Sequence, residues 1–271
     1  MTRTALVTGA GSGVGRTTAR TFREAGWTVY ATGPEEADLS GLAESGCETA
    51  TLDVTSEGDA ERVLDRIGAE QGAVDCLVNA AGVARYGPLE DVPTDRLAAQ
   101  FEANAAGPHR LVRAALPNMR RAESGTIVNV SSVYGRLAPP GVGPYAASTA
   151  ALEALSDALR AELDGLGIDV VVVVPGPTGA DEDRTESLDG LERTREYEWV
   201  YETLEDAALT AGALPVTDDP EAVATVIHDA ACAADPDPRY VVGPAAKALL
   251  YARYLPDRLR DAAFRALRTV A

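Results

Sequence analysis

The segment Thr4-Ala5-Leu6-Val7-Thr8-Gly9-Ala10-Gly11-Ser12-Gly13-Val14-Gly15 constrains this chain more than any other. A short apolar run feeds into a loop with glycine at every second position, and a helical pattern begins at once. Glycines let the backbone turn tightly and bring its N–H groups close to an anion, whose charge then sits at the positive end of the following helix. Glycines also serve ordinary turns, so the loop alone says little. The strand before it and the helix after it supply the setting a phosphate-binding loop requires.

The rest of the chain repeats that alternation. Short strand-like runs fall at 5–8, 28–32, 48–52, 74–79, 126–131, 169–174 and 240–242, with amphipathic stretches such as 16–25, 59–71, 95–121 and 145–166 between them. The pattern predicts an α/β fold: a Rossmann-type doubly wound parallel sheet in three layers, with helices on both faces. A length of 271 residues suits a single domain, 1–271, with insertions.

Two stretches depart from the pattern. Between 180 and 213 strand signals stop and acids crowd in, with Leu188, Leu191, Tyr197, Trp199, Tyr201 and Leu204 among them. Following the sixth strand, at the carboxyl edge of the sheet, this reads as a helical substrate lid. A solvated hairpin with an ordinary buried side is the plainer alternative. The tail, 244–271, is locally basic through Lys247, Arg253, Arg258, Arg260, Arg265 and Arg268, and a helix there is expected to carry Leu255, Leu259, Phe264, Leu267 and Val270 on one face. A partner subunit or the substrate mouth accounts for that face more readily than contact with a membrane surface.

The motifs resemble those of the short-chain dehydrogenases/reductases across essentially the whole chain. Thr8 to Gly15 matches the family's cofactor loop, with Gly9, Gly11, Ser12, Gly13, Val14 and Gly15 against the pyrophosphate. Asp53-Val54 resembles its adenine-contacting pair. Asn79-Ala80-Ala81-Gly82 matches its Asn-Ala-Gly element, so Asn79, Ala80 and Gly82 are expected at the cofactor. Pro175-Gly176-Pro177-Thr178 matches its Pro-Gly motif beside the nicotinamide, placing Pro175, Gly176 and Thr178 there; the threonine that often follows two positions later is Ala180 here. The resemblance implies NAD or NADP as cofactor. Gly33, Pro34 and Ser12 occupy the positions that discriminate the two. Arg16 is cationic and near, whereas Glu35 and Glu36 would repel a 2′-phosphate, so the balance leans slightly to NAD.

Ser132 and Tyr145 stand thirteen positions apart, as in the family, and Asn104 matches the helix asparagine that organises a proton-relay water. The implied chemistry is hydride transfer between nicotinamide and a carbonyl or alcohol carbon. Tyr145 would exchange the proton, and Ser132 would polarise the substrate oxygen. The family motif is Tyr-x-x-x-Lys, yet the residue one turn after Tyr145 is Thr149, which can hydrogen-bond a ribose hydroxyl but brings no charge. An ordinary phenol is only about 0.1% ionised at pH 7, and bringing its pKa near 7 requires roughly 4 kcal/mol of electrostatic help. Two functions follow: an active oxidoreductase on an alcohol or carbonyl, or a cofactor-binding sensor or scaffold that has lost turnover. An isomerase or lyase on the same fold has no specific support. The C-terminal half resembles members acting on steroid- or retinoid-like alcohols, which hints at a bulky apolar substrate. Family members commonly pair through the helix that starts at Tyr145, which implies a homodimer or homotetramer.

Charge and composition bound the remaining classes. A net charge of −18 repels nucleic acid. No apolar run of about 18 residues is present, which weighs against a membrane span, and the N-terminus does not read as a signal peptide. Cys47, Cys76 and Cys232 are scattered and fit a reduced, cytoplasmic protein. With no His/Cys/carboxylate cluster, no metal is expected, and His109 and His228 read as structural. Lys247 is the only lysine. GC-rich coding explains the missing lysines but not the excess of acids, which suits a salt-adapted surface whose self-repulsion concentrated salt screens.

Overall fold

The computed structural model describes residues 2–177, 188–205 and 218–267. Seven strands, β1 (Thr4–Val7), β2 (Thr28–Gly33), β3 (Glu48–Thr51), β4 (Cys76–Asn79), β5 (Gly125–Val130), β6 (Ile168–Val174) and β7 (Arg239–Val241), form one sheet in the order β3-β2-β1-β4-β5-β6-β7. Every pairing is parallel. The expected doubly wound fold is what forms, with strand boundaries within two residues of those read from the sequence.

Alternation along the strands divides the core into two layers. Ala5, Val7, Val29, Ala31, Val128, Val171 and Val173 face one side, packing with Phe22, Trp27, Val223 and Ile227. Leu6, Tyr30, Ile127 and Val170 face the other, against Leu64, Ile67, Leu111 and Met119. The first layer is covered by α1 (Gly13–Glu24) and α8 (Pro220–Cys232), the second by α3 (Glu57–Gln71) and α5 (Gly107–Ala122). A valine-rich strand such as β6, buried at six of its seven positions, is what a sheet with both faces covered demands. Each fully buried side chain of this size contributes roughly 1.5–3 kcal/mol.

The long helical stretch around Asn104 is not uniform. It runs as α4 (Thr94–Phe101), a five-residue π-helical turn (Glu102–Ala106) and then α5, and the N–H of Gly107 reaches back five residues to the carbonyl of Glu102. Pro108 supplies the cause. In a regular α-helix its ring would clash with the carbonyl of residue i−4, here Asn104, and the wider turn relieves that clash.

A short helix, α2 (Ser40–Glu44), joins β2 to β3, where the sequence shows no helical signal. The described part of the expected lid, 188–205, contains a 3₁₀ turn at Arg195–Tyr197 and α7 (Glu198–Glu205). Leu188, Val200, Tyr201 and Leu204 are buried there with Tyr86 and Val142. The remainder of 180–213 lies outside the described residues. In the tail, α9 (Pro244–Tyr251) packs Ala246 and Leu249 against Val133, Val172 and Val174, while Tyr251, Tyr254, Leu255 and Leu259 are exposed before and within α10 (Asp257–Leu267). Among the described residues no helix is long and apolar enough to cross a membrane.

Candidate active site at the carboxyl edge of the sheet

The strand order reverses between β1 and β4, which lie side by side, and the crevice above their carboxyl ends is where ligands bind in open parallel sheets. The glycine loop forms its floor. Gly9 has φ +65°, and a Cβ on it would lie 2.7 Å from Ala81 Cα; a Cβ on Gly15 would lie 2.2 Å from the carbonyl oxygen of Gly9. No side chain fits at either place. Thr8 ties the loop to the end of β4, its hydroxyl accepting the N–H groups of Ala80 (3.2 Å) and Ala81 (3.1 Å). Ser12 flanks α1 in extended conformation without capping it through its side chain. The first N–H groups of α1 are thus left to an anion at the loop, and this cradle fits the pyrophosphate of a dinucleotide.

Of the residues expected at the site, Gly9, Ser12, Gly13, Val14, Gly15, Ala80, Gly82, Asn104, Ser132, Tyr145, Thr149, Pro175 and Gly176 line this one cleft. Gly11, Asp53, Val54 and Asn79 stand off it. Gly11 lies under the side chain of Asp38. Asp53 accepts from the N–H and hydroxyl of Thr55, both at 2.8 Å, and Val54 packs on Gly107. Asn79 is buried, donating to Asn129 Oδ1 at 2.8 Å. Thr178 lies outside the described residues.

Asn104 sits in the π-helical turn with its amide clamped. Its Oδ1 accepts from Val83 N–H at 2.8 Å, and its Nδ2 donates to Val83 O at 2.8 Å and Ser148 Oγ at 2.9 Å. Ser148 in turn donates to the carbonyl of Tyr145 at 2.9 Å. Ser148 was not singled out from the sequence; it links Asn104 to the first turn of α6 (Gly143–Glu162), which carries Tyr145. Ser132 follows β5, buried, and accepts from the N–H of Tyr134 at 3.3 Å. The Tyr145 ring meets Tyr86 and Tyr134 edge-on, with centroids 6.0 and 6.2 Å away. These rings, with Val142 and the buried side of α7, form an apolar wall beside the phenol.

That wall is fastened by Asp91. Its carboxylate accepts from Thr194 N–H (3.1 Å), Thr194 Oγ1 (2.6 Å) and Tyr201 Oη (2.6 Å). Burial opposes ionisation of Asp91, but the bonds from Thr194 and Tyr201 outweigh it and hold its carboxyl below the usual range. Burial and then the Asp91 carboxylate push the Tyr201 phenol up.

Thr149 lines the cleft, but its hydroxyl turns back onto its own helix, donating to the carbonyls of Tyr145 (2.9 Å) and Ala146 (3.1 Å). One turn further on, Glu153 is buried. Its carboxylate accepts from Ser131 Oγ (2.9 Å) and Arg136 Nε (2.6 Å), and pairs with Arg239 at 3.2 Å. No lysine, arginine or histidine is among the described residues that line the cleft. Nor do the described residues hold a His/Cys/carboxylate group able to bind a metal.

Residues 3–189 match the family described as short chain dehydrogenase. The chain is 34% identical to the uncharacterized oxidoreductase YbbO of Escherichia coli K12 over 263 residues, covering 96% of this chain and 93% of the relative. It is 32% identical to the NADPH-dependent 3-dehydrocapnine reductase of Ornithobacterium rhinotracheale, covering 97% and 96%. Among solved structures it is similar to a short-chain dehydrogenase from Streptomyces avermitilis, with TM-score 0.83, 33% identity and coverage of 100% and 97%. It is also similar to a short chain dehydrogenase/reductase from Burkholderia phymatum in complex with NAD, with TM-score 0.79, 27% identity and coverage of 96% and 95%.

Proposed function

The chain belongs to the short chain dehydrogenase family of oxidoreductases, and from that premise we propose that it interconverts an alcohol and a carbonyl with NAD(P) as cofactor. The observation that carries this reading is convergence: Ser132, Tyr145 and Asn104 open onto the same cleft as the glycine loop, although they come from three different elements. The loop and the N-terminus of α1 would hold the pyrophosphate, and Pro175 and Gly176 would flank the nicotinamide end.

A bound nicotinamide would supply or take the hydride. Ser132 donates a hydrogen bond to the substrate oxygen. Tyr145 exchanges the proton, giving it to the nascent alkoxide in reduction and taking it from the alcohol in oxidation. Asn104, locked to Val83 and Ser148, keeps the turn under Tyr145 in place. The apolar wall of Tyr86, Tyr134 and Val142 favours a bulky, uncharged substrate. For the cofactor's adenosine end we favour NAD. Arg16 spends its guanidinium on the carbonyls of Gly11 and Asp38, and the Asp38 carboxylate lies beside Gly11, where it would repel a 2′-phosphate. We further read the chain as one cytoplasmic, salt-adapted domain that pairs through α6, with 180–213 as its lid.

A second reading, a cofactor-binding sensor without turnover, is favoured by Thr149, whose hydroxyl is spent on helix carbonyls in a cleft lined by no described cation. One experiment separates them. NADH and NADPH are titrated by fluorescence, and a panel of apolar alcohols and ketones is screened by nicotinamide absorbance, with Tyr145→Phe alongside. Turnover that Tyr145→Phe abolishes supports the enzyme; tight cofactor binding with no turnover across the panel supports the sensor.

A further inference from the structure

The nicotinamide-side rim of the cleft, Pro175-Gly176-Pro177, is a poor hydrogen-bonding segment by composition. Two of its three residues are prolines, so Gly176 carries its single backbone N–H. That donor goes to the side chain of Asp218, forty-two positions later: Gly176 N–H to Asp218 Oδ2 is 2.7 Å. Asp218 returns the bond, its own N–H donating to Pro177 O at 2.9 Å. From the other side, the N–H of Val133, the residue after Ser132, donates to Pro175 O at 2.9 Å. The rim is therefore pinned at each of its three residues, twice by Asp218.

The carboxylate has been given room for this. Gly243, at the mouth of α9, has φ +76°, and a Cβ there would lie 2.0 Å from Asp218 Oδ1. Asp218 is thus wedged between the end of β6 and the end of β7. The next residue, Asp219, caps α8 by accepting the N–H of Glu221 at 3.0 Å. Burial pushes the Asp218 carboxyl up, and the bond from Gly176 partly offsets this. A partly desolvated carboxylate is retained at this place although it lines no part of the cleft itself.

We infer that Asp218 is a positioning residue that fixes the Gly176–Pro177 rim, and with it the nicotinamide half of the cofactor subsite. The inference rests on the reading of the cleft as a nicotinamide dinucleotide site. The hydrogen bonds of Asp218 described above go to Gly176 and Pro177 and none to the pyrophosphate loop, so its influence is expected on one half of the ligand, and the test exploits that. NADH and ADP-ribose, which lacks the nicotinamide, are titrated against the parent chain, Asp218→Asn and Asp218→Ala, and thermal unfolding is followed for each.

Asp218→Ala is expected to bind NADH about tenfold more weakly while ADP-ribose affinity stays unchanged, the size of one charge-assisted hydrogen bond. Asp218→Asn keeps an oxygen for Gly176 and is expected within about threefold of the parent for NADH. Rescue by Asn, with the loss restricted to the nicotinamide-bearing ligand, is a pattern that a general loss of stability does not produce. Should Asp218→Ala fail to fold, Gly243→Ala displaces the carboxylate from the opposite side and is expected to give the same selective loss. NADH binding unchanged in Asp218→Ala, or equal losses for NADH and ADP-ribose, overturns the inference. A parent chain that binds neither ligand removes the reading on which it rests, and the inference with it.

Discussion

Replacing Thr149 by lysine puts the proposed chemistry to its most direct test. Thr149 is one helical turn after Tyr145, lines the cleft and is only 4% exposed, and its hydroxyl donates to two carbonyls of its own helix. Side chains four apart on a helix have Cβ atoms about 5–6 Å apart, so an ammonium there can come within roughly 6 Å of the Tyr145 oxygen. At an effective dielectric near 20, two unit charges at about 6 Å attract by about 3 kcal/mol, or about two powers of ten in phenolate population at fixed pH. Alcohol oxidation at pH 7, which draws on the phenolate, should therefore rise about 100-fold in Thr149→Lys. The gain should shrink as pH approaches about 10, where an ordinary phenol ionises unaided. Ketone reduction uses the neutral phenol and should change little at neutral pH. The assay is initial rate by nicotinamide absorbance, in both directions, across that pH range, with Tyr145→Phe silent in either background. A parent chain that oxidises as fast at pH 7 as at pH 10, with nothing added by the lysine, would refute the reasoning, because the charge would then come from elsewhere in the fold.

Four further outcomes are expected. Asp91→Ala removes the acceptor for Thr194 and for the buried Tyr201 hydroxyl and should cost about 2–4 kcal/mol, read as a lower melting temperature and faster proteolysis near Arg193; unchanged proteolysis would count against it. Because the folded Asp91 carboxyl lies below its unfolded value, its contribution is complete above the ordinary carboxylate range near pH 4 and lost as pH falls through the folded value; acid should therefore loosen 188–205 in the parent but not further in the alanine variant. Glu153→Ala leaves Arg136 without its carboxylate, whereas Arg239 keeps Asp157, so about 3 kcal/mol or roughly 6–12 °C of melting temperature should be lost, with Glu153→Gln losing less. Thermal unfolding in molar KCl should occur at clearly higher temperature than in dilute buffer, and a flat response would remove the salt-adapted reading.

The sheet was legible because its strands announce themselves locally. Runs such as Val170 to Val174 are β-branched and bounded by turn residues, and the glycine loop needs no distant partner to be read. Most residues of the cleft followed from motif and spacing. What stayed hidden are contacts whose two halves lie far apart in sequence and carry no period: Asp91 with Thr194, Glu153 with Arg136 and Arg239, Asp218 with Gly176. A lone Asp or Glu in a polar stretch looks like one more surface acid, the more so in a chain with 42 of them. Thr149 was visible as a missing lysine, but where its hydroxyl points was not, because the helix carbonyls that hold it are present in every helix.

The π-helical turn at Glu102–Ala106 carries a consequence for anyone editing this chain. A regular helix advances about 100° per residue, so the wider turn sets α4 and α5 one residue out of phase. Deleting any one residue other than Asn104 between 102 and 106 would take out the extra residue that accommodates Pro108 and change the phase between the two helices. One of them would then have to swing by that angle about its axis. Either Asn104 would lose Val83, or Leu111 and Met119 would turn out of the core. The Asn104 clamp and the hydrophobic stripe of α5 can thus be satisfied together only in a chain that keeps the extra residue. For the same reason, alanine substitution at positions 102–106 keeps this phase in a way that shortening does not, although at Asn104 it removes the clamp itself.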